Sequence, residues 1–324
     1  METRQLGATD LRITPIGFGA WAIGGPDYAF GWGPQDDAVS VAAIHRAIDA
    51  GINWIDTAAV YGLGRSERVV AQALKSVDAG RRPYVFTKCS LVWDEKGAIS
   101  HALKAASVRK ELEDSLRRLE TDVIDLYQIH WSKPWGLQDP APDIEEGWGT
   151  LAALQKEGKV RHIAVSNFDI AEMERIGPIA PIASLQPPYS MLRRGIEAEI
   201  LPYCLAKRIG VIVYSPMAAG ILSGAMTRER AAALPANDWR SKNPDYQEPR
   251  LSRNLALVEE LRKIGARYNT APGAVAIAWT LRHPAVTGAI VGFRSPKQVD
   301  GLTAAATLRL TPEEVAAIDA LTAS

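Results

Sequence analysis

Short apolar runs and amphipathic stretches alternate along the chain. The runs cover residues 16–21, 52–56, 84–88, 123–130, 160–166, 183–186, 211–215 and 286–292. Each has the length and apolar content of a strand buried on both faces. Between them lie helical patterns. One carries Val108, Leu112, Ser115, Leu116 and Leu119 at spacings of three and four, with Arg and Glu elsewhere. Others cover about 37–50, 66–76, 145–157, 197–208 and 251–267, and 272–282 reads as an additional helix before the last strand. Eight strands alternating with helices predict an α/β fold, a (β/α)8 barrel. An open doubly wound sheet with a second domain is the alternative. Residues 4–14 predict a small N-terminal hairpin turning at 7–10. With no Ser/Gly/Pro-rich linker and no change of pattern, residues 1–324 are expected to form one domain.

Two segments break the rhythm. Residues 131–143 are too rich in Pro, Gly and Trp for a helix, and 216–250 come after a strand with several Pro, Gly and charged residues. Both fall where long βα loops belong, at the C-terminal face of a barrel, and such loops are usually lids or binding loops.

Charge narrows the partners. The 37 basic and 37 acidic residues balance, which gives no electrostatic reason to expect nucleic acid or an anionic membrane. No apolar run approaches the roughly 20 residues that cross a bilayer. The N-terminus lacks the apolar segment of a secretory signal. Cys89 and Cys204 make neither a disulfide framework nor a metal spacing, so they read as reduced core thiols in a cytoplasmic protein.

The stretch 51–67, GINWIDTAAVYGLGRSE, focuses the chemistry. A buried run ends on Asp56, and a carboxylate there is costly unless paired. Tyr61 comes next in a glycine-bearing loop. Lys88 and His130 end two later runs. All strands of a barrel end on one face, so Asp56, Tyr61, Lys88 and His130 are expected to converge. A tyrosine is a weak acid, with pKa about 10, and a nearby ammonium is expected to lower it. An imidazole can hydrogen-bond a carbonyl oxygen or help carry a proton. The set suits proton donation to a developing alkoxide, hence carbonyl reduction, and requires a cofactor for the hydride.

Gly17-Phe-Gly19-Ala-Trp-Ala22 fits a dinucleotide fingerprint, but Ile-Gly-Gly-Pro stands where a helix should start. A better cofactor segment is 290–299, IVGFRSPKQV. Gly292 ends a strand, Ser295 can cap a helix with Pro296 at its first position, and Arg294 and Lys297 stand beside that phosphate-binding terminus.

Taken with FTK, DLYQIHW, GKVRHIAVSNF, LQPPYS, IVYSPMAAGILSG and GFRSPKQV, these motifs resemble the aldo-keto reductase family over nearly the whole chain. The resemblance implies a barrel that binds NADP(H) without a Rossmann fold. It implies that Tyr61 is the general acid/base and that Asp56, Lys88 and His130 are its partners. Ser166, Asn167 and Gln186 match positions holding the nicotinamide carboxamide, and Tyr214 matches the aromatic stacked on its ring. Ser215, Pro216, Met217, Gly220 and Leu222 match the loop along the pyrophosphate. Arg294, Ser295 and Gln298 match the segment around the adenosine phosphate. Gly301-Leu302 and Ala225 depart from the Glu-Asn and Lys that many relatives carry.

The favoured expectation is an NADPH-dependent oxidoreductase acting on a small-molecule carbonyl or alcohol. A cofactor-binding sensor or regulatory subunit on the same barrel is the rival. A metal-dependent hydrolase would want several His at strand ends; of five, only His130 is at one, so no metal is expected. Trp21, Trp93 and Trp131, at or just past strand ends, are candidates to line an apolar substrate pocket. Nothing in the sequence fixes the oligomeric state.

Overall fold

A computed structural model describes residues 1–26, 28–134, 143–235 and 238–322. Eight parallel strands close into a barrel. They are β1 (Ile16–Gly19), β2 (Trp54–Asp56), β3 (Tyr84–Cys89), β4 (Ile124–Ile129), β5 (Val160–Ser166), β6 (Ser184–Gln186), β7 (Gly210–Val213) and β8 (Val286–Gly292). Neighbours keep to chain order, and β8 pairs β1 to close the ring. The open doubly wound alternative is thereby excluded. All seven predicted helices are present within a few residues of their expected bounds, for example Ala105–Leu119 and Arg250–Arg267.

The alternation of strand side chains builds the interior in two layers. Trp54, Phe86, Leu126, Ala164, Ile212 and Ile290 form an apolar lower layer. Two residues further along stand Asp56, Lys88, Gln128, Ser166 and Gly292 on their strands and Tyr214 just past β7. Except at Gly292, an apolar residue with a polar one at i+2 thus recurs through this set and lifts the polar side chains to the C-terminal mouth. The predicted N-terminal hairpin, Arg4–Gln5 with Arg12–Ile13, plugs the other end. Its Leu6, Leu11 and Ile13 pack under Trp54, whose Nε1 donates to Thr14 O at 2.9 Å.

The apparent dinucleotide fingerprint has a packing cause. Gly17 sits inside β1, and a Cβ there would lie 2.2 Å from the Trp54 ring. Beyond β1 the chain makes a short 3-10 turn, Trp21–Ile23, and not the long helix that a dinucleotide fold needs.

Four elements were not anticipated. After β3 a small hairpin, Leu91–Trp93 with Ile99–His101, turns on Asp94, whose Oδ1 accepts from Lys96 N and Ala98 N. Helix Ile170–Ile176 starts with a reciprocal capping box between Asp169 and Glu172. Helix Pro312–Thr322 ends the described chain, and helix Arg228–Ala232 lies in the long loop after β7. That loop also carries 3-10 turns at Ala218–Ser223, Trp239–Lys242 and Pro244–Tyr246. The other expected long loop, 131–143, falls mostly outside the described residues. Among the described residues no helix is long and apolar enough to cross a membrane.

Candidate active site

Asp56 ends β2 fully inside the barrel mouth and would be destabilising alone. It is instead saturated with donors. Lys88 Nζ lies 2.5 Å from its Oδ1. Its Oδ2 accepts from Gln186 Nε2 at 2.8 Å and Gln128 Nε2 at 3.1 Å. Lys88 is 1% exposed and gives its remaining protons to Thr57 O at 2.9 Å and Tyr61 Oη at 3.5 Å. Removing either charge would strand the other in a dry site.

The loop after β2 aims Tyr61. Tyr61 N donates to Ala58 O and Ser66 N to Tyr61 O, so the loop is a tight turn. Ser66 Oγ donates to Ala20 O, pinning the loop to the end of β1. Gly62 has φ +58°, and a Cβ there would fall 1.9 Å from Gly24 O, so only glycine permits this approach. His130 stands just past β4, its N donating to Cys89 O at 3.0 Å. Its ring stands edge-on to Tyr61 with centroids 5.7 Å apart. The four expected residues therefore do converge, on three successive strand ends and one loop.

One expectation about them is corrected. On balance the Tyr61 pKa is not lowered: desolvation, with Asp56 adding to it, outweighs the nearby ammonium and holds the phenol well above its usual value. Removing water from the phenolate costs more than Lys88 returns at 3.5 Å, since Asp56 has already claimed that charge. Desolvation also lowers Lys88, against Asp56, and holds His130 well below the usual imidazole range, with Lys88 contributing.

Around these four lies a second polar group. Asn167, just past β5 with φ +61°, donates to His130 O and Ser166 Oγ, both at 3.0 Å. Its Oδ1 accepts from Tyr214 Oη at 2.8 Å, and Ser166 Oγ donates to Gln186 O at 2.9 Å. Ser166, Asn167, Gln186 and Tyr214 thus meet beside Asp56 and His130. In the next loop Ser215 has φ +56° and Gly220 φ +98°. Pro216 and Leu222 are buried, while Met217 is half-buried. The N–H groups of Gly220 and Leu222 both go to Met217 O.

Past β8, Arg294 N donates to Gln298 Oε1 at 2.7 Å. Its guanidinium reaches Gln35 Oε1 at 2.8 Å and Pro34 O at 2.5 Å, both neutral acceptors. Burial and neighbouring Arg240 push its pKa down, partly opposed by Asp238. Ser295 occupies the N-cap of Pro296–Leu302, but its side chain makes no capping bond.

The three expected tryptophans separate. Trp21 stacks on Tyr61 with centroids 6.3 Å apart. Trp93 lies on the small hairpin under Arg118, 5.7 Å from its ring, and Arg118 is in turn tied to Glu67. Trp131 has its backbone fixed by Ser90 and His101. Sequence reasoning missed Trp32 and Trp239, both in ring contact with Trp21, and Gln128. The alternation of β4 places Gln128 on the same face as His130, so its part in holding Asp56 was readable from QIH.

A barrel whose mouth gathers a buried Lys–Asp pair, a tyrosine, a histidine and a polar Ser/Asn/Gln set defines a class of carbonyl-handling barrels. The chain belongs to the aldo-keto reductase family: the model of the Aldo/keto reductase family matches residues 15–323. It is 37% identical to the Aldo-keto reductase YhdN of Bacillus subtilis (strain 168), over 94% of this chain and 88% of that protein. It is 33% identical to the NADH-specific methylglyoxal reductase of Escherichia coli (strain K12), over 96% and 95%. The structure of the glycerol dehydrogenase AKR11B4 from Gluconobacter oxydans superposes with a TM-score of 0.88 at 38% identity, over 99% of this chain and 95% of that one. Members of this family are oxidoreductases acting on carbonyls with nicotinamide cofactors.

Proposed function

We propose that this protein is an NADPH-dependent oxidoreductase interconverting aldehydes or ketones and alcohols, with Tyr61 as general acid/base. The observation that carries this reading is the Lys88 ammonium, fully buried and shared between Asp56 and the Tyr61 hydroxyl. In reduction the substrate carbon gains a hydride and its oxygen gains the Tyr61 proton. Lys88 stabilises the phenolate left behind, and Asp56 holds Lys88 in place. His130, kept neutral, hydrogen-bonds the carbonyl oxygen and turns it toward Tyr61. A nicotinamide cofactor supplies the hydride when bound. Ser166, Asn167 and Gln186 offer amide and hydroxyl groups for its carboxamide, and Tyr214 an aromatic face. Relatives named for methylglyoxal and for glycerol support small oxygenated substrates.

Cofactor choice rests on Arg294. It is a half-buried cation bonded to neutral acceptors, which suits an incoming anion such as the 2′-phosphate of NADPH. Arg294→Ala is expected to weaken NADPH by about 1.5–3 kcal/mol and leave NADH nearly unchanged. The loss should fall on KM with kcat largely kept, because a phosphate contact is equal in ground and transition states. Titrating both cofactors against both proteins checks this. Equal weakening would mean that Arg294 only supports the loop of Gln35, and a preference for NADH in the parent would overturn the assignment.

The pH profile is a second check. With His130 neutral and Tyr61 protonated, neither titrates between about pH 6 and 8. The kcat/KM for reduction is expected to show no inflection there from either group. A step near the ordinary imidazole value, abolished in His130→Gln, would contradict it.

A further inference from the structure

The backbone around His130 is held at three points. Its N–H donates to Cys89 O at 3.0 Å, and its carbonyl accepts from Asn167 Nδ2 at 3.0 Å. The next amide, Trp131 N, donates to Ser90 Oγ at 3.2 Å. The peptide that follows His130 is thus gripped at both ends, which sets where the imidazole leaves the chain. Ser90 is the unusual holder. It comes directly after β3 with φ +84°, in the left-handed region that side chains other than glycine avoid. It is fully buried, and its hydroxyl also donates to Trp131 O at 3.2 Å. A glycine would take this conformation freely but could make neither bond to Trp131.

Glu111 is what keeps Ser90 there. It interrupts the buried face of helix Ala105–Leu119, among Val108, Leu112 and Ser115. Its side chain is buried, and its Oε2 accepts from Ser90 N at 3.1 Å. Ser107 Oγ lies 3.5 Å from its other oxygen, and Ala102 N donates to Ser90 O at 3.0 Å. Among the described residues no cation forms an ion pair with Glu111; Arg118 of the same helix is tied to Glu67. Burial pushes the Glu111 carboxyl up to about 8, against the bonds from Ser90 and Ser107 and the charge of Arg118. A helix that only had to pack on the barrel would avoid that cost with a leucine at this position.

We propose that Glu111 is a positioning residue for the reaction: its carboxyl holds Ser90 in the left-handed turn, Ser90 holds the peptide between His130 and Trp131, and His130 is thereby aimed at the substrate carbonyl. This rests on the carbonyl-reductase reading and adds to it a residue that acts only through His130. The relay runs through main chain and one hydroxyl, so its loss misplaces the imidazole and leaves the cofactor groove intact.

Glu111→Leu removes the acceptor and keeps the bulk. It is expected to lower kcat/KM for an aromatic aldehyde by about tenfold, since small misplacements of an orienting group are costly, while the Kd for NADPH stays within about twofold. Glu111→Gln keeps a carbonyl for Ser90 N and, like a carboxyl raised to about 8, carries no charge at neutral pH. It should stay within about threefold of the parent. Ser90→Gly adopts positive φ without strain and is expected to fold, but it cuts the tie to Trp131, so it should lose about as much as Glu111→Leu. The decisive arm repeats Glu111→Leu in a His130→Ala background, with enough enzyme to follow the residual rate. Once the imidazole is gone, Glu111→Leu should cost no more than about a further twofold. A tenfold loss that persists in that background would mean that Glu111 only supports the fold. Parental rates in either Glu111→Leu or Ser90→Gly would equally overturn the relay. No aldehyde-dependent NADPH consumption by the parent would instead overturn the carbonyl-reductase reading, and the role of Glu111 with it.

Discussion

Tyr61→Phe is expected to bind NADPH as the parent does and to turn over roughly 100-fold more slowly or worse. The substitution removes one oxygen from a ring that stacks on Trp21 and meets His130 edge-on, so the pocket keeps its shape. The variant loses the phenolic proton held beside the buried ammonium. Because the chemistry and not the binding is affected, kcat and kcat/KM should fall together. Fluorescence titration of the cofactor alongside steady-state rates separates the two. Retention of most activity would remove Tyr61 from the proton's path.

Lys88→Met is expected to lose activity and, in addition, stability. It leaves Asp56, 2% exposed, without its cation, a cost on the order of 3–5 kcal/mol. Gln128 and Gln186 still donate to Asp56 Oδ2, but amides do not cancel its charge. Adding Asp56→Asn removes that charge, so the double variant should recover stability and remain inactive. Thermal or urea unfolding of the parent, both single variants and the double variant measures the coupling. If Lys88→Met melts like the parent, the two residues are not a buried pair in solution.

Much of this arrangement is legible in the chain. Two-residue alternation alone separates Trp54 from Asp56 and Phe86 from Lys88 into lower and upper layers, and the barrel topology then brings the upper layer together. The same rule yields Gln128. The capping boxes at Asp169–Glu172 and Thr311–Glu314 are local signals, the second made of Glu314 N to Thr311 Oγ1 and Thr311 N to Glu314 Oε2. They mark two of the three helices that periodicity passed over, one because it is short and the other because it lies beyond the last strand. Other features have no such signal. Trp32 and Trp239 sit in irregular loops with no period, and their meeting over Trp21 depends on how two βα loops close on each other. The raised Tyr61 pKa comes first from burial of the phenol in the assembled mouth and then from Asp56 beside it, and no spacing in the sequence encodes either.

The most direct measurement is the initial rate of carbonyl-dependent NADPH oxidation by the unaltered protein at neutral pH. The assay offers hydroxyacetone and an aromatic aldehyde with cofactor saturation verified beforehand. Steady consumption that scales with enzyme and with carbonyl is the predicted result. Saturable NADPH binding without consumption, in either direction of the reaction, would contradict it and favour a cofactor-sensing role on the same barrel.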